Sequence, residues 1–116
     1  MNIEALREFC LGLPGVTEDV KWGADLCFLV REKMFCVTSI DAPHSVSFKV
    51  TAEQFDEMVS RPGIIPAPYM ARNKWINVQE WNVLNDAQWE TYVKQSYALV
   101  KAKLPKKLQK EIEANV

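Results

Sequence analysis

The sequence has few of the residues from which most metal and catalytic sites are built. It contains one histidine, His44, so a site with several imidazole ligands or a network of His-paired nucleophiles is excluded. Near a turn, this residue is expected to have a structural or solvent role. The three cysteines, Cys10, Cys27 and Cys36, form no Cys-x-x-Cys pair, and an odd number does not close into disulfides. Their apolar surroundings predict buried, reduced thiols in a cytoplasmic protein.

Long hydrophobic runs and a strong net charge are also missing. The longest apolar stretches, such as residues 26–30, are far short of the ~20 residues that cross a bilayer. The first residues lack the basic and then apolar pattern of a signal peptide, so neither a leader nor contact with a membrane is expected. The formal net charge is −1, with +3 on residues 101–116 and −4 on residues 1–100. Any nucleic-acid contact must therefore come from a local basic patch.

Length and composition are typical of one globular domain. A chain of 116 residues, 48% hydrophobic and 25% charged, buries roughly two thirds of its unfolded surface in one core. The sequence shows no repeat, linker or low-complexity segment. We therefore expect a single domain over residues 1–116 that needs no cofactor for its stability.

Capping residues and apolar spacing predict four helices. A capping side chain accepts a hydrogen bond from a backbone N–H of the first turn, and a glutamine three positions later completes a capping box. Trp89 lies on the apolar stripe of the third helix and is expected in the core. The predicted starts are Asn2, Thr51 with Gln54, Asn85 with Gln88, and Pro105.

Short β-branched and aromatic segments predict an antiparallel sheet. Residues 26–30 and 34–40 are expected to form a hairpin, and residues 45–50 and 74–79 further strands. Consecutive strands joined by tight turns, with helices on one face of the sheet, define the α+β class. Residues 62–68 contain three prolines and are expected to be a rigid, irregular loop.

Four segments spread over nearly the whole chain resemble a known family. They are Trp22-Gly23, Lys33-Met34-Phe35, residues 62–78 (PGIIPAPYMARNKWINV), and Ser96-Tyr97 with Leu99-Val100. In these segments the chain is similar to the YjbR-like (MmcQ) family of small bacterial proteins. The resemblance implies a CyaY-like α/β sandwich, also described as a double-wing fold. It also implies DNA binding, a function assigned to the family by structural similarity.

The chain departs from the family pattern at the hairpin. The family tends to have glycine before the hairpin lysine, where this chain has Glu32. A two-residue turn with positive φ is therefore not expected here. An acid at the tip would also repel phosphate.

The resemblance and the local cations together predict a candidate DNA site. Two cations flank the predicted hairpin tip, and two more precede a tryptophan in the 62–78 segment. That tryptophan either stacks on a base or packs beneath the carboxy-terminal helix. The predicted contacts to duplex DNA are Arg31, Lys33, Arg72, Asn73, Lys74 and Trp75.

The leading interpretation is a non-enzymatic binding module, but other interpretations stay open. The loop at residues 62–69 ends in an aromatic residue and could frame a site for a protein or a small ligand. Lysines between residues 101 and 110 flank an apolar stripe and indicate either a solvated helix face or a rival phosphate contact. A metal-handling role is the weaker alternative. It would use an acidic set of four residues, for which a solvated helix face is the favoured interpretation: Glu4, Glu8, Glu18 and Asp19.

Overall fold

The computed structural model describes residues 1–114 as a six-stranded antiparallel sheet with four α-helices, which confirms the α+β class. The strand order across the sheet is β1-β2-β3-β4-β6-β5. The strands are β1 (Val16–Lys21), β2 (Asp25–Val30), β3 (Lys33–Ser39), β4 (Val46–Lys49), β5 (Ile64–Pro66) and β6 (Trp75–Val78). The helices are α1 (Ile3–Leu11), α2 (Ala52–Met58), α3 (Asp86–Lys101) and α4 (Lys106–Ala114), with 3₁₀ turns at Ala71–Asn73 and Trp81–Val83.

Three of the four predicted helix starts are confirmed by capping hydrogen bonds, and α4 begins at Lys106, directly after Pro105. The Asn2 side chain accepts from the Ala5 N–H at 2.8 Å and starts α1. Full capping boxes open α2 at Thr51 and α3 at Asn85, because in each the cap and the third residue exchange side-chain to backbone bonds. These local bonds satisfy amides that would otherwise lack partners at the start of each helix.

Both edge strands were missed in the sequence. No side chain of β1 is buried, and its sequence, VTEDVK, places the polar residues Thr17, Glu18 and Asp19 together, so apolar and polar residues do not alternate as in a half-buried strand. The prediction of an irregular loop at residues 62–68 was wrong for β5, whose residues pair with β6 from Ile64↔Val78 to Pro66↔Ile76. An edge strand has one unpaired side, where a missing proline N–H breaks no ladder bond.

The expectation for the β2–β3 turn was also wrong. Val30 pairs with Lys33, so the loop has two residues, Arg31 and Glu32, with φ of 48° and 70°. Two consecutive positive φ angles match the right-handed twist of the flanking strands. Glutamate therefore occupies a position that glycine would fill with less strain.

One core lies between the sheet and the helices. A bulge in β3 turns both Phe35 and Cys36 inward, because Phe28 pairs with Cys36 while Leu29 already pairs with Met34. Side chains of all four helices join this core: Leu6, Cys10, Met58, Trp89, Val93 and Ile112. Trp89 is fully buried, as predicted, and donates its indole N–H to the Trp81 carbonyl at 2.9 Å.

The three cysteines are free and buried, as predicted. Cys10 and Cys36 belong to the core between the sheet and the helices, whereas Cys27 pairs with Val37 and lies outside that cluster. Burial raises the pKa of the Cys27 thiol, with further contributions from nearby carboxylates. Within residues 1–114, no helix combines the length and apolar character needed to cross a membrane.

Candidate functional site

The sheet face away from the helices carries a groove of about 710 Å³. Register places Val37, Ser47 and Asn77 side by side across the three central strands of this face. Two loops form the sides of the groove: the β1–β2 turn contributes Trp22, and the segment after β5 contributes Pro68, Tyr69 and Met70. The remaining lining residues are Asp25, Met34, Thr38, Ser39 and Ser45.

Two exposed aromatic residues flank this groove. The relative exposure is 72% for Trp22 and 105% for Tyr69, whereas most large apolar side chains of the protein are buried. Both residues also have left-handed backbone, with φ of 52° and 65°. Such φ values are unfavourable for bulky side chains and concentrate at binding sites. Two strained, exposed rings lining one groove therefore indicate a place where a flat ligand could stack.

Small polar side chains form the floor of the groove. The Asn77 amide donates to Ser45 Oγ at 3.1 Å and to Ser47 Oγ at 2.9 Å, which holds three side chains in one network. Asp25, the first residue of β2, adds a carboxylate to the groove that Trp22 also lines. The floor can therefore offer hydrogen-bond donors and acceptors to the edge of a ring held between the loops.

A second, smaller pocket of about 410 Å³ lies beside the groove and shares two lining residues with it, Met34 and Met70. Three lysines from separate segments line it: Lys33 begins β3, Lys49 ends β4, and Lys103 follows α3. We call this the lysine pocket. Its other lining residues are Asn73, Trp75, Val100 and Leu104.

The position of Lys49 is held by hydrogen bonds. Its ammonium donates to the Asn73 carbonyl at 2.7 Å, and its backbone N–H donates to Ser96 Oγ at 2.9 Å. Partial burial lowers the pKa of the Lys49 side chain, and the nearby Lys103 lowers it further. No ion pair within residues 1–114 involves Lys33, Lys49 or Lys103. The pocket therefore concentrates positive charge that no carboxylate neutralises in this part of the chain.

The structure divides the predicted DNA-contact residues between two environments. Lys33, Asn73 and Trp75 line the lysine pocket, although Trp75 is only 5% exposed and packs rather than presenting its ring. Arg31 instead pairs with Glu111 at 3.6 Å.

The other two predicted cations also lie outside the groove and the pocket. Lys74 lies over the Phe55 ring, with its ammonium 5.0 Å from the ring centroid. Arg72 is exposed in the 3₁₀ turn before β6 and lines neither cavity.

Trp22 and Lys49 were missed as site candidates, whereas Tyr69 and Lys103 were considered only in the alternative interpretations, the 62–69 loop and the lysines between residues 101 and 110. Trp22 and Tyr69 stand in the segments that carry the family resemblance, which was the available signal. Tyr69 also ends the 62–69 loop proposed as a ligand site, and the groove includes the end of that loop. Lys49 and Lys103 are 54 positions apart in sequence, and only packing of α3 against the strands brings them together.

The acidic residues considered for metal binding form no metal site among residues 1–114, and one of them, Glu18, is bound by Arg7. Arg7 donates from Nε to Glu18 Oε1 at 2.7 Å, and this hydrogen bond lowers the pKa of the Glu18 carboxyl. Among residues 1–114, no group of three or more histidine, cysteine, aspartate or glutamate side chains is arranged to hold a metal ion. His44 contacts the Ile40 carbonyl through Nε2 at 3.2 Å and lies edge-on to Trp81.

Comparison with known proteins identifies the family. The family model YjbR matches residues 11–99, which include both aromatic residues of the groove and two of the pocket lysines. The chain belongs to the YjbR family. A search of the curated proteins found no match.

Solved structures share the YjbR fold seen here. A Deinococcus radiodurans crystal structure with a DUF419 domain superimposes with a TM-score of 0.85 and is 25% identical, over 97% of this chain and 88% of the other. A Pseudomonas syringae protein solved by structural genomics has a TM-score of 0.72 and 20% identity, over 86% of this chain and 99% of the other. The second similarity concerns the fold alone.

Proposed function

We propose that this YjbR protein is a non-enzymatic DNA-binding module that holds a single strand across the open face of its sheet. The observation that carries the proposal is the groove flanked by Trp22 and Tyr69, which shares the lining residues Met34 and Met70 with the lysine pocket. Single-strand binding proteins combine aromatic side chains that stack on bases with a positive channel for the backbone. We expect the protein to act in the reducing interior of the cell, because its three thiols are free and buried and its proposed partner is a nucleic acid.

The positions of the cations favour a single strand over the duplex predicted from the sequence. Duplex contacts need cations that project freely toward phosphates, yet Arg31 pairs with Glu111 and Lys74 rests on Phe55. Exposed rings at a groove, by contrast, contribute most when bases are unpaired and free to stack. The proposed contacts are therefore the two rings together with Lys33, Lys49 and Lys103.

The distribution of charge along the open face predicts where the bases and where the phosphates of the bound strand lie. Asp25 lies in the groove, whereas the lysines lie in the adjoining pocket. A carboxylate repels phosphate but accepts hydrogen bonds from base amino groups. The bases are thus expected between Trp22 and Tyr69, and the phosphates toward the lysine pocket.

Truncation of each ring tests the proposal. Binding of a labelled single strand of about ten nucleotides is measured by fluorescence anisotropy at low salt, for the parent and for Trp22→Ala and Tyr69→Ala. Base stacking on one aromatic ring contributes about 1–3 kcal/mol, so each variant should bind roughly 5- to 150-fold more weakly. A duplex of the same sequence should bind more weakly than the single strand.

Val20→Ala is the matched control, because Val20 is 50% exposed but lines neither the groove nor the pocket. This variant should bind like the parent. Both ring variants change exposed positions and should unfold within about 0.5 kcal/mol of the parent, so lost binding would not reflect lost folding. Preference for the duplex, or unchanged binding in both ring variants, would contradict the proposal.

The size of the groove supports a second candidate, a small ligand with a flat ring. Its volume of about 710 Å³ lies within the range of small-molecule sites, about 300–1,000 Å³. In that case DNA should not bind in either form. Trp22 fluorescence should instead respond to aromatic compounds, and Tyr69→Ala should remove the response.

A further inference from the structure

We propose that the lysine pocket is a phosphate site that selects a strand ending in a phosphomonoester, an inference that rests on the single-strand function proposed above. Lys33, Lys49 and Lys103 reach the pocket from β3, β4 and the segment after α3. Selection of a strand end is a narrower property than general affinity for DNA, and it assigns a specific chemical group to this pocket.

The charge of the pocket is the first argument. Within residues 1–114, Arg7, Arg31, Arg61 and Lys101 pair with carboxylates, whereas other cations, such as Lys106 and Lys107 of α4, are exposed without an ion pair. The pocket lysines also have no ion-pair partner in this part of the chain, and they differ from the exposed lysines of α4 because the three of them line one cavity. Because like charges placed together repel, an anion that enters the pocket removes an unfavourable interaction as well as adding a favourable one.

The amount of charge favours a terminal phosphate over an internal one. A phosphodiester within a strand carries one negative charge, whereas a phosphomonoester carries about −1.5 to −2 near neutral pH and has three strong acceptor oxygens. Three ammonium groups match the monoester more closely. The main-chain bond from Lys49 to Ser96 and the ammonium bond to the Asn73 carbonyl hold one of the three donors in place before the ligand arrives.

The position of the pocket supports the same ligand. Met34 and Met70 line both cavities, so the lysine pocket adjoins the groove in which the bases of the proposed strand stack. Trp75, Val100 and Leu104 form the apolar part of the pocket wall. Of the three lysines, Lys49 is partly buried, which strengthens the attraction of its ammonium for a phosphate, whereas Lys33 and Lys103 are exposed.

Four forms of one short strand test the inference: unmodified, 5′-phosphorylated, 3′-phosphorylated, and phosphorylated at both ends. One of the singly phosphorylated strands should bind about tenfold more tightly than the unmodified strand at moderate salt. Lys49→Gln and Lys103→Gln should abolish this preference. Lys106→Gln and Lys107→Gln alter exposed lysines of α4 outside the pocket and should keep it. Thermal unfolding of each variant verifies that it is folded.

A titration with inorganic phosphate tests the lysine pocket independently of strand binding. Side-chain NMR signals of Lys49 and Lys103 are followed as phosphate is added, and both should shift with a common affinity. If all four strands bind equally while Trp22→Ala still weakens them, the phosphate inference fails and the single-strand function stands. If no strand binds but phosphate shifts both lysines, the pocket is a phosphate site and the single-strand function fails. If neither probe binds, both proposals are wrong.

Discussion

At the scale of single residues, Ser96 connects the core to the candidate site. Its hydroxyl is fully buried, donates to the Phe35 carbonyl at 2.6 Å and accepts from the Lys49 N–H at 2.9 Å. One side chain of α3 therefore bonds to both β3 and β4. It satisfies the main chain beside the β3 bulge and fixes the end of β4 from which the Lys49 side chain enters the pocket.

Replacement of Ser96 by alanine should destabilise the protein by about 1–3 kcal/mol, because it leaves a buried N–H and a buried carbonyl without their partner. Urea unfolding measures the change. Ser60→Ala is the control: Ser60 also bonds to a carbonyl, that of Glu57, but is exposed, and its loss should cost under about 0.5 kcal/mol. Equal stability of the two variants would mean that the Ser96 bonds do not form as described.

At the scale of elements, the edge strand β5 depends on the glycine that precedes it. Gly63 has φ of +85°, and a Cβ at this position would lie 2.5 Å from Cγ2 of Val83 in the 3₁₀ turn after β6. Its carbonyl accepts from the Gln79 N–H at 2.9 Å, which extends the pairing of β5 with β6. The glycine therefore allows the chain to enter β5 close against the turn, and β5 leads directly into the Pro68–Tyr69 side of the groove.

Gly63→Ala should cost roughly 2 kcal/mol or more, because backbone strain and a steric clash add together. Gly12→Ala provides the comparison. Gly12 has φ of −77° at the end of α1, and the nearest atom to an added Cβ is 3.4 Å away. Calorimetry of both variants should show a clear loss of thermal stability for Gly63→Ala alone, and similar melting temperatures would contradict the geometry described for β5.

At the scale of the whole molecule, the proposed affinity for DNA depends on where the cations lie more than on the net charge. The chain has a formal net charge of −1, yet three lysines from distant segments meet at one pocket. Some other cations pair with carboxylates or, like Lys74, lie against a ring, and others, such as Arg72 and Lys107, are exposed and lie outside the pocket. Long-range attraction of DNA is therefore weak, and affinity must come from close contacts in the groove and the pocket.

The salt dependence of binding should reflect this arrangement. Each phosphate neutralised on a single strand contributes about −0.7 to the slope of log K against log salt, so one pocket that holds a single phosphate gives a shallow slope on the order of −1. Anisotropy titrations at several salt concentrations measure the slope. Lys49→Gln should reduce its magnitude, whereas Lys107→Gln should leave it unchanged. A much steeper slope in the parent would show that lysines outside the pocket also bind the strand.

The sequence by itself determined the α+β class, the starts of the helices and the β2–β3 hairpin. These features depend on local hydrogen bonds and on apolar spacing within one segment, as at Thr51 with Gln54 and Asn85 with Gln88. The burial of Trp89 and of the three cysteines follows from the same patterns. Family resemblance added the segments that contain Trp22 and Tyr69, but it did not indicate that the two line one groove.

Only the tertiary structure decided the edge strands and the composition of the candidate site. β1 and β5 gain their conformation by pairing with neighbours, so their own residues carry little signal. The lysine pocket joins residues 33, 49 and 103 through cross-strand register and the packing of α3 on the sheet. Likewise, Arg31 and Lys74 were predicted to contact DNA from their local sequence and the family resemblance, and their contacts with Glu111 and Phe55 appear only in the tertiary structure. Side chains that are distant in sequence meet only when the core packs, and that is why their site could not be read from spacing.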